Sequence, residues 1–169
     1  MTTLSLRQIR LRSGEEYRDT KDVELGSFEL GGQRYLTVPG TVPADLTITR
    51  ASTGSVFGLS FRARVHGPCY RCVADAVVDI PVSAREYQAT NPGESEELKT
   101  PYVEEDQLDL SGWARDAIVL ALPDKILCRP DCAGLCPVCG RDLNVEPHTH
   151  AETEGDPRWS ALADLRDRL

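Results

Sequence analysis

Residues 128–150, CRPDCAGLCPVCGRDLNVEPHTH, place four cysteines and two histidines in twenty-three positions. A second short segment, CYRC at Cys69–Cys72, supplies the other two cysteines of the chain. Thiolate and imidazole presented in pairs two to four residues apart are the ligand pattern of structural zinc, which is closed tetrahedrally by four such groups. A chain that gathers these residues around metal must bring distant segments together. That restricts its fold more than any other feature of the sequence.

Four pairs can be read. Cys69/Cys72 and Cys136/Cys139 have the tight two-residue spacing, and Pro137 and Gly140 suit a turn whose amides face the sulfurs. Cys128/Cys132 is a wider pair, and His148/His150 can both reach one ion from an extended loop. Two groupings stay open. In one, Cys69/Cys72 joins Cys128/Cys132, and Cys136/Cys139 closes with His148/His150. In the other, Cys128, Cys132, Cys136 and Cys139 share one local ion, leaving CYRC and HTH unexplained. The first grouping is preferred because it leaves no thiol pair without a role, and it predicts two structural Zn2+ ions. CYRC as a redox dithiol is a third reading. Such thiols normally open a helix, whereas strand-like sequence flanks this pair on both sides.

The 169 residues are 40% hydrophobic and 27% charged, as in ordinary globular chains. No apolar run of membrane-spanning length occurs and the opening MTTLSLRQIRLRSGEE lacks secretory-signal organisation, so a cytoplasmic protein with reduced thiols is expected. The net charge of −8 shows no basic stripe by eye. It favours a basic partner over a bare nucleic-acid surface, because phosphate contacts carry most nucleic-acid affinity. Direct RNA contact, if made, is expected to be weak, with Arg62, Arg64 and Arg71 as the candidate residues.

Period-two alternation is clearest in VFGLSFRARVH, where Phe57, Leu59, Phe61, Ala63 and Val65 share one face. VADAVVDIPV alternates likewise through Ala74, Ala76, Val78, Ile80 and Val82. CYRC therefore falls at the turn of an antiparallel hairpin. Residues 1–45 carry weaker signals, with short strands at 23–30 and 34–38. The expected class is α+β: an antiparallel sheet of hairpin or meander form, or closed toward a barrel, with a few helices and zinc-knuckle loops. The expected organisation is a single domain over 1–169. Within it lie central strands at 46–88, an acidic flexible loop at 89–106, a metal-binding segment at 128–150 and a C-terminal helix at 156–169. SGWARDAIVLAL reads as a helix capped by Ser111, with Trp113, Ala117, Leu120 and Ala121 on one face. Both tryptophans read as core residues, and His66 as a surface residue. No HExxH, deaminase, Ser-His-Asp or phosphate-loop pattern is present, so the chain reads as a binding or assembly protein and not as an enzyme.

The same residues resemble a known family. LTITRASTGSVFGLSFRARVHGPCYRCVADAVVDIPVSAREY looks like the central block of the YceD family, and LDLSGWARDAIVLALPDKILC like its next block. CRPDCAGLCPVCGRDLN is similar to the family's GLCPxCGxxLN segment, and DPRWSALADL to its closing helix. Where many relatives carry a CxC pair, this chain has His148-Thr149-His150, which keeps zinc-compatible ligands. Relatives that keep CxRC but lack GLCPxCG imply two separable sites. The resemblance implies a role in accumulation of large-subunit ribosomal RNA, acting on a basic ribosomal protein or a large-subunit assembly intermediate, and it brings no catalytic residues. A zinc-bearing adaptor unrelated to ribosomes is the alternative.

Overall fold

The computed structural model describes residues 1–151 except 92, 94 and 95. The helix expected at 156–169, with Trp159, lies outside the described residues. The chain falls into two compact units, Met1–Cys132 and Ala133–Leu169.

The first unit is built on a long hairpin. Strands β6 (Gly54–Pro68) and β7 (Asp75–Ala89) pair antiparallel along their whole length, from Gly54 opposite Ala89 to Pro68 opposite Asp75. Most of the alternation read in the sequence is what the hairpin buries: Phe57, Leu59, Phe61, Ala63 and Val65 from one strand, Ala76, Ile80 and Val82 from the other. Val78 is half-buried, and Ala74 is exposed because it lies in the turn before β7 begins. On its other edge β6 pairs with β5 (Thr41–Arg50) through residues 55–60 and with β4 (Gln33–Thr37) through residues 65–66. β2 (Glu16–Glu24) lies outside β5, and β3 (Phe28–Leu30) outside β4. A separate small sheet joins β1 (Thr3–Ser5), β9 (Gln107–Asp109) and β8 (Val103–Glu104).

Helix α1 (Leu110–Ala121) packs against two of the outer strands, β7 and β2. Its buried residues are Leu110, Trp113, Ala114, Ala117 and Ile118, the i, i+3, i+4, i+7, i+8 stripe of a core-facing helix. Trp113 is in the core, as expected. Leu120 is not: it is 88% exposed. The expected stripe was rotated because Ile118 and Ala114, not Leu120 and Ala121, complete the face. The N-cap is also two residues earlier than expected. Asp109 accepts the Gly112 N–H at 3.0 Å, while the Ser111 hydroxyl instead accepts the Thr2 N–H at 2.8 Å. The α+β class holds, with strands in the majority. No described helix is long and apolar enough to cross a membrane.

The two faces of α1 should respond differently to truncation. Ile118, 1% exposed, should lose about 2–5 kcal/mol of stability as Ile118→Ala. Leu120→Ala should change it by less than about 0.5 kcal/mol. Urea unfolding of the two variants measures both.

Candidate metal centres

The end of the long hairpin is a knuckle over residues 69–74. Cys69 N–H bonds the Ala74 carbonyl at 2.7 Å, and Val73 N–H returns to the Cys69 carbonyl at 3.0 Å. That return needs a left-handed residue after the second cysteine, and Val73 adopts φ 63°. Cys136–Cys139 repeats this geometry in the second unit. Gly140, with φ 72°, donates its N–H to the Cys136 carbonyl at 2.8 Å. Gly140 takes the conformation freely, whereas for a β-branched residue it is strained.

In the first unit, Cys69, Cys72, Cys128 and Cys132 hold their sulfurs within 4.8 Å of one another. Cys69 Sγ lies 3.8 Å from Cys132 Sγ, and Cys72 Sγ 3.6 Å from Cys128 Sγ. A disulfide requires about 2.05 Å, so these thiols are not bonded pairs. Four sulfurs at about 2.3 Å from a tetrahedral zinc stand about 3.8 Å apart. The donor set therefore fits a closed four-sulfur site. The segment carrying Cys128 and Cys132 is brought to the knuckle by main-chain and side-chain bonds. Tyr70 N–H reaches the Ile126 carbonyl at 2.7 Å, and Arg71 Nη1 donates to the Cys132 carbonyl at 2.6 Å. Cys69, Cys72, Cys132, Ala76 and Ile126 form a small core of their own, with Tyr35, Val78 and Leu122 packed against it.

The electrostatics suit a cation. Burial pushes the Cys69 thiol up, but main-chain N–H groups of Cys72, Cys128 and Arg71 aimed at its sulfur outweigh it and bring it down to about 6. Cys128 is pushed up to about 12, first by burial and then by the sulfurs around it. The first thiol is ready to ionise, while the last resists adding negative charge to the group. A divalent ion removes that conflict.

In the second unit, Cys136, Cys139, His148 and His150 place one ligand atom each within 4.8 Å of the others. Cys139 Sγ is 3.1 Å from His148 Nε2. His148 Nδ1 is 2.7 Å from the Glu146 carbonyl. A carbonyl can only accept, so Nδ1 carries a proton and Nε2 is the ring atom turned toward the sulfurs. The Glu146 carbonyl, and then the Cys136 side chain, raise the His148 pKa, and a metal ion at Nε2 would take the place of the second proton. The Cys136 thiol is lowered to about 6, chiefly by the Cys139 N–H and then, against burial, by the Val138 N–H and the side chains of Cys139 and His148. Asp142 and Asn144 brace the loop: Asn144 Oδ1 accepts the Ala133 N–H at 2.8 Å, and Asp142 Oδ1 accepts the Asn144 N–H at 2.8 Å.

All eight residues proposed as ligands in the sequence are thus placed in two groups of four. Arg71, Asp142, Asn144 and the Glu146 carbonyl were not singled out as supports. Arg71 and Asn144 stand inside the CxRC and xxLN segments, which was the available signal. Arg62 and Arg64 are on the exposed face of β6 and belong to neither ligand group, and Arg64 Nε donates to Asp79 at 2.8 Å.

Because Val73 is 62% exposed and left-handed, Val73→Gly should remove strain at little burial cost and raise stability by about 1 kcal/mol. Gly140→Val should do the reverse by about 1–2 kcal/mol. Denaturation of the first variant and chelator competition with the second check the pair.

Comparison with known proteins places the chain. The sequence pattern described as "Large ribosomal RNA subunit accumulation protein YceD" matches residues 57–166. An uncharacterized protein of Mycobacterium tuberculosis is 34% identical over 126 residues, covering 72% of this chain and 60% of the relative. One of Mycobacterium bovis matches to the same extent, and one of Mycobacterium leprae is 31% identical over 126 residues, covering 57% of that protein. The chain spans about 60% of the length of these relatives. No solved structure matches. The chain belongs to the YceD family.

Proposed function

We propose that this YceD-family chain is a non-enzymatic, zinc-binding factor of ribosome biogenesis that promotes accumulation of large-subunit ribosomal RNA. The observation that carries this reading is the family match over residues 57–166, a stretch that contains every member of both ligand sets. Cys69, Cys72, Cys128 and Cys132 hold one Zn2+, and Cys136, Cys139, His148 and His150 a second. Both ions are structural: all four positions of each site are filled by protein ligands, and no coordination position is left open for substrate. Metal binding there is coupled to folding, because the ligands must lose protons and converge.

The protein acts in the cytoplasm by binding a basic ribosomal protein or a large-subunit assembly intermediate. Its net charge of −8 supports such a partner. Acidic residues act mainly on the rate of encounter and its salt dependence.

Metal analysis under reducing conditions should find two zinc ions per chain. Cys72→Ser, Cys132→Ser and their double variant should each leave one, since all three damage the same site. Cys72→Ser combined with His148→Ala should leave none. A double Cys72→Ser/Cys132→Ser variant that loses both ions defeats the assigned pairing. In the cell, deletion should lower mature large-subunit RNA and accumulate precursor particles while transcription continues. Unchanged subunit profiles would defeat the functional reading.

A further inference from the structure

The turn opposite the knuckle carries a different chemistry. Near Gly54, a cavity of about 790 Å³ opens between the segment after β1 and the ends of β5, β6 and β7. Its rim includes Arg10, Arg12 and Arg50, and its floor includes the buried Ile48 and Phe57 and the half-buried Leu11. In the sequence Arg50 stands far from LRQIRLR, so no basic stripe is visible. The fold assembles one.

Among the described residues these guanidinium groups are not paired with carboxylates. Arg50 Nη1 and Nη2 donate to the Ser55 and Thr90 hydroxyls at 3.1 and 3.0 Å, neutral partners that orient the group and leave its charge. Among the described residues neither Arg10 nor Arg12 has a carboxylate partner. Two acids line the same cavity. Asp106 is held by Arg7 at 3.2 Å. Glu15 accepts the Arg12 main-chain N–H at 2.7 Å. In a chain of net charge −8, three guanidinium groups without a salt bridge among the described residues, set against the single unpaired carboxylate of Glu15, leave a net positive rim over an apolar hollow. Arginine matches phosphate oxygens with its fixed fork of donors, and a concave apolar floor accepts a base that is out of its stack.

We infer that this cavity binds single-stranded RNA, with backbone phosphates on Arg10, Arg12 and Arg50 and an unstacked nucleotide over Ile48, Phe57 and Leu11. The phosphate-binding character rests on the cavity itself. The choice of RNA as the source of the phosphate rests on the function proposed above. Duplex RNA hides its bases from such a hollow. A contact of about three phosphates is weak at physiological salt, in keeping with an otherwise acidic protein.

The test uses the full metal-loaded chain and fluorescence anisotropy with a labelled ten-nucleotide oligouridylate across a salt series. Neutralising three phosphates of a single strand corresponds to a slope of log affinity on log salt of about −2. Arg10→Gln/Arg12→Gln should weaken binding and flatten that slope by about 1.4, with zinc content and unfolding midpoint unchanged. The same RNA annealed into a duplex should bind more weakly. Affinity and slope unaltered in the double variant, or no binding by the wild type, would overturn the inference. Uridine monophosphate competing as well as the oligomer would assign the cavity to free nucleotides and overturn the commitment to RNA. Those outcomes leave the deletion phenotype standing, and a missing deletion phenotype would leave RNA binding by the cavity measurable.

Discussion

The convergence of four sulfurs from two distant segments is the constraint on which the first unit depends. Cys69 and Cys132 are 63 positions apart. The chain between them contains β7, the β8–β9 hairpin and α1. After α1 ends, the chain to Cys132 has no regular secondary structure and few main-chain bonds to the rest of the unit. Its place is set by Tyr70, Arg71 and the cysteines themselves. A cross-link closing a loop of this length removes about 4 kcal/mol of unfolded-chain entropy on the usual chain-entropy account. That is a large fraction of a domain's net stability. The second cluster closes only residues 136–150, so its contribution is local.

Local pattern made part of this legible. The hairpin could be read because β6 and β7 bury one face and expose the other over fifteen residues each. β2 could not, because its inward side carries charge. Asp19 accepts the Tyr17 hydroxyl at 2.7 Å and pairs with Lys21, an arrangement that an outer strand tolerates and that hides period two from a hydropathy reading. β5 was seen only from Leu46 onward. Pro43 reads as punctuation, yet there the strand pairs on one side only, with Asp22 of β2, where a missing N–H is harmless.

The sites divide in the same way. Ligand identity could be read from residue type and spacing, since few other chemistries use that pattern. The supports could not, because a main-chain carbonyl such as that of Glu146 has no residue-type signature. Charge was least legible. The acids at 104–106 look like part of one continuous acidic run, but Glu105 and Asp106 form the left-handed turn between β8 and β9, and Asp106 faces Arg7. Arg50 reaches the N-terminal arginines through the β2–β5 pairing, which continues as Arg50 N–H to the Glu15 carbonyl and Gly14 N–H to the Arg50 carbonyl.

The uninterrupted pairing of β6 with β7 has an electrostatic consequence. Fifteen residues at about 3.3 Å each give a strand of roughly 50 Å, with sulfur at one end and guanidinium at the other. The Debye length in physiological salt is about 8 Å, so the strand is some six screening lengths long. Neither end registers the charge of the other, and an approaching ligand meets only the residues within about one such length. A molecule with net charge −8 can therefore present a cationic hollow at one tip, and its overall charge does not predict what that tip attracts.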